Sequence, residues 1–120
     1  MGIGAFRLER PEAGPAVLSI DGEHDLHTAP ELRRRLDELI GLRDPIVIDL
    51  SPSTFVDSSI LGVLLDARRR ASEDGVTLAL AQSDGSLAVS RVLEVTGLRG
   101  GLPVHESLEE ALAEAVKGSK

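Results

Sequence analysis

The stretch Pro45 to Leu50, PIVIDL, constrains the chain more than any other. It is a β-branched apolar run without polar alternation, and such a run suits a strand covered on both faces. A strand of that kind needs helices packed over its sheet, and its flanks supply them. Before it, HTAPELRRRLDELIGL reads as a helix whose start is written in. Thr28 is placed to be its N-cap, Glu31 three residues on completes a capping box, and Pro30 sits in the first turn. Leu32, Leu36, Leu39 and Ile40 then fall on one helical face. After PIVIDL, SPSTFVD reads as a loop, followed by a second helix from about Ser58 to Ser72. That helix is expected to turn Leu61, Leu64 and Leu65 inward. Arg68, Arg69 and Arg70 lie in its last turns, where the helix dipole favours cations.

The remaining segments extend the pattern. Phe6 to Glu9 alternates at period two, RPEAGPA supplies turn residues, and Val17 to Ile20 resumes an extended run, so the two form a hairpin at one side of a sheet. VTLAL is a further strand, SDGSLAVSRVLEVTG a helix closed by Gly97, and LPVHE a last short strand. Ser107 and Glu110 then open a final helix with a second capping box, and Leu108, Ala111, Leu112 and Ala115 line its apolar side. Strands alternating with helices give an α/β fold, a mixed β-sheet packed with α-helices. Helix-linked strands are expected to be parallel and the opening hairpin antiparallel. Ile46, Ile48, Leu61 and Leu64 are expected in the core. At 120 residues the chain makes a single domain, with an ordered core over about 5–116.

Composition narrows the function. The formal charge is −7, and Phe6 and Phe55 are the only aromatic residues. Nucleic-acid binding needs a basic face and, for single strands, aromatic platforms, so it is disfavoured, as is an anionic membrane surface. The absence of cysteine excludes disulfides and thiolate chemistry. No apolar run approaches a bilayer span and the N-terminus lacks a signal-peptide pattern, so a cytoplasmic setting is expected.

Catalytic and binding motifs are sparse. No phosphate-binding glycine loop is present; GLRGGL is glycine-rich but lies between a helix and a strand, as a connection would. His24, Asp25 and His27 offer three potential metal ligands without an apparent fourth, and read better as exposed loop residues. No G-x-S-x-G elbow accompanies the serines. Asp49, near the end of a buried strand, stands where a phospho-aspartate receiver carries its acceptor. Receivers also require a lysine after a later strand, however, and lysine occurs only at positions 117 and 120. A polar residue ending a strand accounts for Asp49.

Asp57-Ser58-Ser59 remains, three polar residues in the otherwise apolar stretch FVDSSILGVL. One of them is enough to cap a helix. A hydroxyl at a helix N-terminus also lies where backbone N–H groups receive a phosphate. FVDSSILGVLLDARRRA resembles the signature of the STAS domain, and specifically of the bacterial anti-sigma factor antagonists. IDGEHDLHTAPELRRRL, PIVIDLSPSTFVD and SRVLEVTGLRGGLPVHESLEEAL resemble other stretches of that family in the same order. The resemblance implies one STAS domain over 1–120. It implies Ser58 as the phosphoacceptor, Asp57 as the acid before it and Asp25 as the acid of a neighbouring loop, with Thr28, Ser59, Ile60 and Leu61 around the site. His24 stands where the family usually has leucine. Ile60 stands where it usually has glycine, and is expected to place a branched side chain beside Ser58 that narrows a partner's approach.

The resemblance further implies a protein that is not itself an enzyme. Unphosphorylated, it would bind an anti-sigma factor and so release a sigma factor. That anti-sigma factor would be the serine kinase and would hold ATP and magnesium itself, leaving this chain without cofactor or metal. A serine phosphatase would reset Ser58, and the chain would be a monomer or weak dimer. A STAS scaffold or ligand sensor that is never phosphorylated, and an enzyme using Ser58 as nucleophile, are the alternatives.

Overall fold

The computed structural model describes residues 4–10, 14–83 and 104–118. In chain order they form β1 (Ala5–Glu9), β2 (Ala16–His24), α1 (Ala29–Leu42), β3 (Ile46–Asp49), β4 (Ser53–Val56), α2 (Ser58–Glu73), β5 (Leu78–Ala81), β6 (Val104–His105) and α3 (Leu108–Gly118). The helix expected over SDGSLAVSRVLEVTG, its Gly97 cap and the GLRGGL connection lie outside the described residues.

Six strands make a mixed sheet in the order β1-β2-β3-β5-β6, with β4 joined to β2 beside this path. β1 pairs antiparallel with β2, whereas β2–β3, β3–β5 and β5–β6 are parallel, as the connections require. The unalternating strands are buried on both faces. Ala16, Leu18, Ile20, Ile46, Ile48, Leu78 and Leu80 join α1 and α2 in the larger core. Val17, Val47, Ala79 and Ala81 face the other way, onto Ala111 and Ala115 of α3. Small side chains on both sides of that second contact bring helix and sheet close together. The expected core residues Ile46, Ile48, Leu61 and Leu64 are all fully buried.

β4 corrects the reading of SPSTFVD as a loop. β2 is nine residues long and outlasts β3, which covers it only from Ala16 to Ser19. Beyond that point β2 needs a new partner, and β4 provides it with a parallel register of Gly22↔Ser53, Glu23↔Phe55 and His24↔Val56. The buried Ser53 hydroxyl donates to the Ile20 carbonyl at 2.5 Å, and Gly22 N–H donates to the Pro52 carbonyl at 3.0 Å. Gly22 has φ 82°, a left-handed conformation that glycine adopts freely, and the register shifts just after it. β2 is thus handed from β3 to β4 at a bend.

The helices differ from expectation in detail. Thr28 is the N-cap of α1 but makes no side-chain cap bond. Its hydroxyl is engaged with the Asp25 backbone at 3.1–3.2 Å, and Glu31 reaches forward to Arg34 and Arg35, so the capping box does not form. At α3 the Ser107 hydroxyl does accept the Glu110 N–H, at 3.1 Å. On α2 the buried face runs through Ile60, Leu61, Val63, Leu64, Ala67 and Ala71. Leu65, expected inward, is 39% exposed. Arg69 and Arg70, read from the sequence as partners of the helix dipole, are held by carboxylates: Arg69 by Asp66 at 2.6 Å and Arg70 by Asp66 at 3.0 Å and Asp37 at 2.6 Å. With Arg33–Asp66 at 3.0 Å they stitch α1 to α2. Three guanidinium groups, first Arg69, then Arg33 and Arg70, lower the Asp66 carboxyl from 3.8 to about 2.

Candidate functional site

Parallel pairing of β2 with β4 places the candidate acids. His24 is level with Val56, so the next residues, Asp25 and Asp57, leave the sheet side by side from neighbouring strands. α2 begins at once: Asp57 keeps extended geometry (φ −106°, ψ −176°), and its Oδ1 accepts the N–H groups of Ser59 at 2.9 Å and Ile60 at 3.2 Å. This is an N-cap, worth about 0.5–2 kcal/mol. Ser58 is the first residue of the helix and is exposed, while Ser59 and Asp57 are half-buried. The hydroxyl of Ser58 therefore stands free at the positive end of the helix dipole. Two of the N–H groups that could have received a phosphate there already belong to Asp57.

Ile60 and Leu61 point the other way. Both are fully buried in the larger core and fasten the first turn of α2 to the sheet. This corrects the expectation that Ile60 obstructs a partner: two residues on from Ser58 the helix has turned by some 200°, so the Ile60 side chain lies on the opposite face, towards the sheet and not solvent.

Asp25 is half-buried in the loop alongside. Its Oδ1 accepts the His27 backbone N–H at 2.9 Å, with the His27 ring at 3.3 Å. The backbone N–H first, then the imidazole and the neighbouring His24, hold its carboxyl below the ordinary value. A negative group is thus kept beside Asp57 and Ser58. Thr28 closes the same loop through its backbone N–H, which donates to the Asp25 carbonyl at 3.0 Å.

His24 and His27, read together as exposed loop residues, part company. His27 is exposed, but His24 is the last residue of β2 and only 1% exposed. Its Nε2 meets the Asp21 carbonyl at 2.8 Å and its Nδ1 the Thr28 hydroxyl at 3.1 Å, so both ring nitrogens are engaged within the protein. Strand alternation explains the burial: His24 is an even step from Ile20 on the core side. Among the described residues no three His, Asp or Glu side chains gather as a metal-binding group. Asp49 Oδ1 accepts the Ser51 N–H at 3.0 Å, forming the turn that ends β3. Among the described residues no helix is long and apolar enough to cross a membrane.

Two side chains that sequence reasoning passed over border the site. Leu26, after Asp25, is 61% exposed, and Phe55, two residues before Asp57, is 44% exposed. The signal for Phe55 was its rarity, as one of two aromatics left outside any helix face.

With this geometry in view, the comparisons with known proteins agree. The STAS domain signature matches residues 8–111. The anti-sigma F factor antagonist of Paenibacillus polymyxa is 33% identical over 103 residues, covering 84% of this chain and 86% of that protein. The crystal structure of an anti-sigma factor antagonist from Mycobacterium paratuberculosis superposes with a TM-score of 0.83 at 26% identity, over 96% of each chain. The anti-sigma factor antagonist SpoIIAA in its unphosphorylated form superposes with a TM-score of 0.73 at 26% identity, over 95% of this chain and 97% of that one. The chain belongs to the STAS domain family.

Proposed function

We propose that this protein is an anti-sigma factor antagonist whose binding to its partner is switched by phosphorylation of Ser58. The observation that carries the reading is the placement of one free hydroxyl, Ser58, at the exposed start of α2 between the carboxylates of Asp57 and the Asp25 loop. Similarity to the Paenibacillus antagonist and to SpoIIAA supports it. The chain acts as substrate and binding partner, not as an enzyme; the kinase is the anti-sigma factor, which brings ATP and magnesium, and a phosphatase resets the serine in the cytoplasm. Leu26, exposed in the Asp25 loop, adds apolar surface for a protein partner to cover.

A phosphate brings about −1.5 to −2 charges. The helix dipole favours it by roughly 0.3–1 kcal/mol, while each carboxylate opposes it by about 1 kcal/mol per unit of phosphate charge at 4 Å in water. In the free protein the two carboxylates outweigh the dipole by about 2–4 kcal/mol, less than the ~5–15 kcal/mol that stabilises a domain, and the fold survives. Under a partner, water leaves and the phosphate faces two carboxylates, with two helix N–H groups already taken by Asp57. The cost then reaches several kcal/mol, or roughly a thousandfold in affinity.

The test is a titration of Ser58→Ala, Ser58→Glu and Ser59→Ala against the anti-sigma kinase, with the phosphosite mapped by mass spectrometry. Ser58→Ala binds and cannot be switched off, Ser58→Glu binds poorly yet stays folded, and Ser59→Ala is phosphorylated like the parent. Phosphate on Ser59 alone, or tight binding by Ser58→Glu, overturns the proposal.

A further inference from the structure

His24 has no part in the switch as described, yet it is buried one residue from Asp25. We propose that His24 is a positioning residue for the Ser58 face: through the single proton of the Thr28 hydroxyl it sets how the Asp25 loop is held beside Asp57 and Ser58, and protonation of the ring reverses that hydrogen bond. The inference rests on Ser58 being the switch and names what regulates its surroundings.

Proton counting carries the argument. The Asp21 carbonyl can only accept, so His24 Nε2, 2.8 Å away, carries a hydrogen. The neutral ring then has Nδ1 bare, and the Thr28 hydroxyl at 3.1 Å must donate to it. That hydroxyl has one proton. While donating to His24 it cannot also donate to the Asp25 carbonyl, 3.1 Å away on its other side. In the imidazolium Nδ1 donates instead, and the Thr28 proton turns to the Asp25 carbonyl. The Asp25 N–H, 3.2 Å from the same oxygen, donates in both states but to a hydroxyl polarised in opposite senses. Neither state leaves a ring nitrogen unpaired, so the change reorders the loop's hydrogen bonds without breaking the core.

The surroundings hold the ring in place. The Phe6 ring stacks on it with centroids 4.4 Å apart and planes inclined by 30°. A Cβ at Gly4 would collide with the His24 ring and the Glu23 carbonyl, so glycine lets the residue before β1 close over the imidazole. The nearby charges come from every neighbouring element. Arg35 of α1 lies 5.7 Å from the Phe6 centroid and is paired with Glu31. The Asp21 carboxylate on β2 is paired with Arg7 of β1. Asp25 is paired with His27 in the loop, and Asp57 follows Val56, the β4 partner of His24. The cations are each matched by a carboxylate, and Asp57 adds a negative charge at the site itself.

The test begins on the free protein, by ¹⁵N-resolved NMR of the rings and amides from about pH 5 to 8, the span in which histidines change charge. The neutral His24 ring is expected as the Nε2–H tautomer, and the Asp25 and Thr28 amides are expected to follow the His24 titration. In His24→Gln the side-chain amide can donate to Asp21 and accept from Thr28, imitating the neutral ring without titrating. That variant is expected to keep the fold and lose the His24-linked shifts, whereas His27→Ala retains them. With the anti-sigma kinase, the ratio of parent to His24→Gln phosphorylation rates is expected to change about two- to tenfold across the pH range, the worth of one hydrogen bond. The ratio cancels the kinase's own pH dependence. An Nδ1–H tautomer, amides that follow His27 alone, or a rate ratio flat with pH overturns the role of His24. Absence of any phosphate on Ser58 overturns the switch instead, and the NMR result still decides on His24.

Discussion

Replacing Ile60 by glycine, the residue usual in the family at this position, offers a sharp test of how α2 is mounted. If Ile60 lined the partner's approach, the exchange would open the Ser58 face and leave stability alone. The structure demands the opposite. Ile60 is fully buried among the residues that join α2 to the sheet. Truncating a buried isoleucine to alanine removes its transfer free energy and leaves a cavity, together about 2–5 kcal/mol. Going on to glycine in the helix adds roughly 0.5–1 kcal/mol of backbone entropy. A total near 3–6 kcal/mol is a large part of the ~5–15 kcal/mol that stabilises a domain. The midpoint of thermal unfolding should fall by roughly 10–20 °C for a chain of this size. Urea and thermal unfolding followed by far-UV circular dichroism give the number directly. Unfolding within about 0.5 kcal/mol of the parent, the range of ordinary surface substitutions, would refute the inward placement of Ile60.

Three further outcomes follow from packing and charge. Leu64→Ala should cost about 2–5 kcal/mol in urea unfolding and Leu65→Ala about 0.5 kcal/mol, because only the first is buried. Asp57→Ala should lose about 0.5–2 kcal/mol with the N-cap, and destabilise α2 even in protein that is never phosphorylated. Asp66 has its folded carboxyl lowered from 3.8 to about 2, so its stabilising effect is complete above pH 3.8 and is lost as pH falls towards 2. Acid unfolding of Asp66→Asn beside the parent should show a stability gap that closes over that window and narrows with added salt.

Periodic features were legible in the sequence because each is repeated. The doubly buried run of β3 and the face Leu32–Leu36–Leu39–Ile40 each contain several agreeing residues, and the structure buries them all. β4 was hidden because Thr54-Phe55-Val56, though strand-forming, is too short to show a period after the Ser-Pro turn; it is made a strand by β2 outlasting β3, a fact of the whole sheet. The face of α2 was drawn from its leucines, but it is centred on Ile60, Leu64, Ala67 and Ala71. Two alanines carry little weight in a hydrophobic pattern, and Leu65 fell beyond its edge. At the site, Asp57 as the cap that opens α2 could be read from local chemistry. The burial of His24 could not, since loop and strand end differ there only by pairing with Val56.

The bend at Gly22 also divides β2 by how firmly it is braced. Val17 to Ser19 lie between β1 and β3, whereas Glu23 and His24, beyond the last β1 partner at Asp21, are paired with β4 alone. Amide hydrogens in the first part should exchange with solvent only through global unfolding, and those in the second through a smaller local opening. The end of β2 and its partner β4, which lead into Asp25 and Asp57, should thus open at lower cost than the central sheet, while α2 stays fastened to the core.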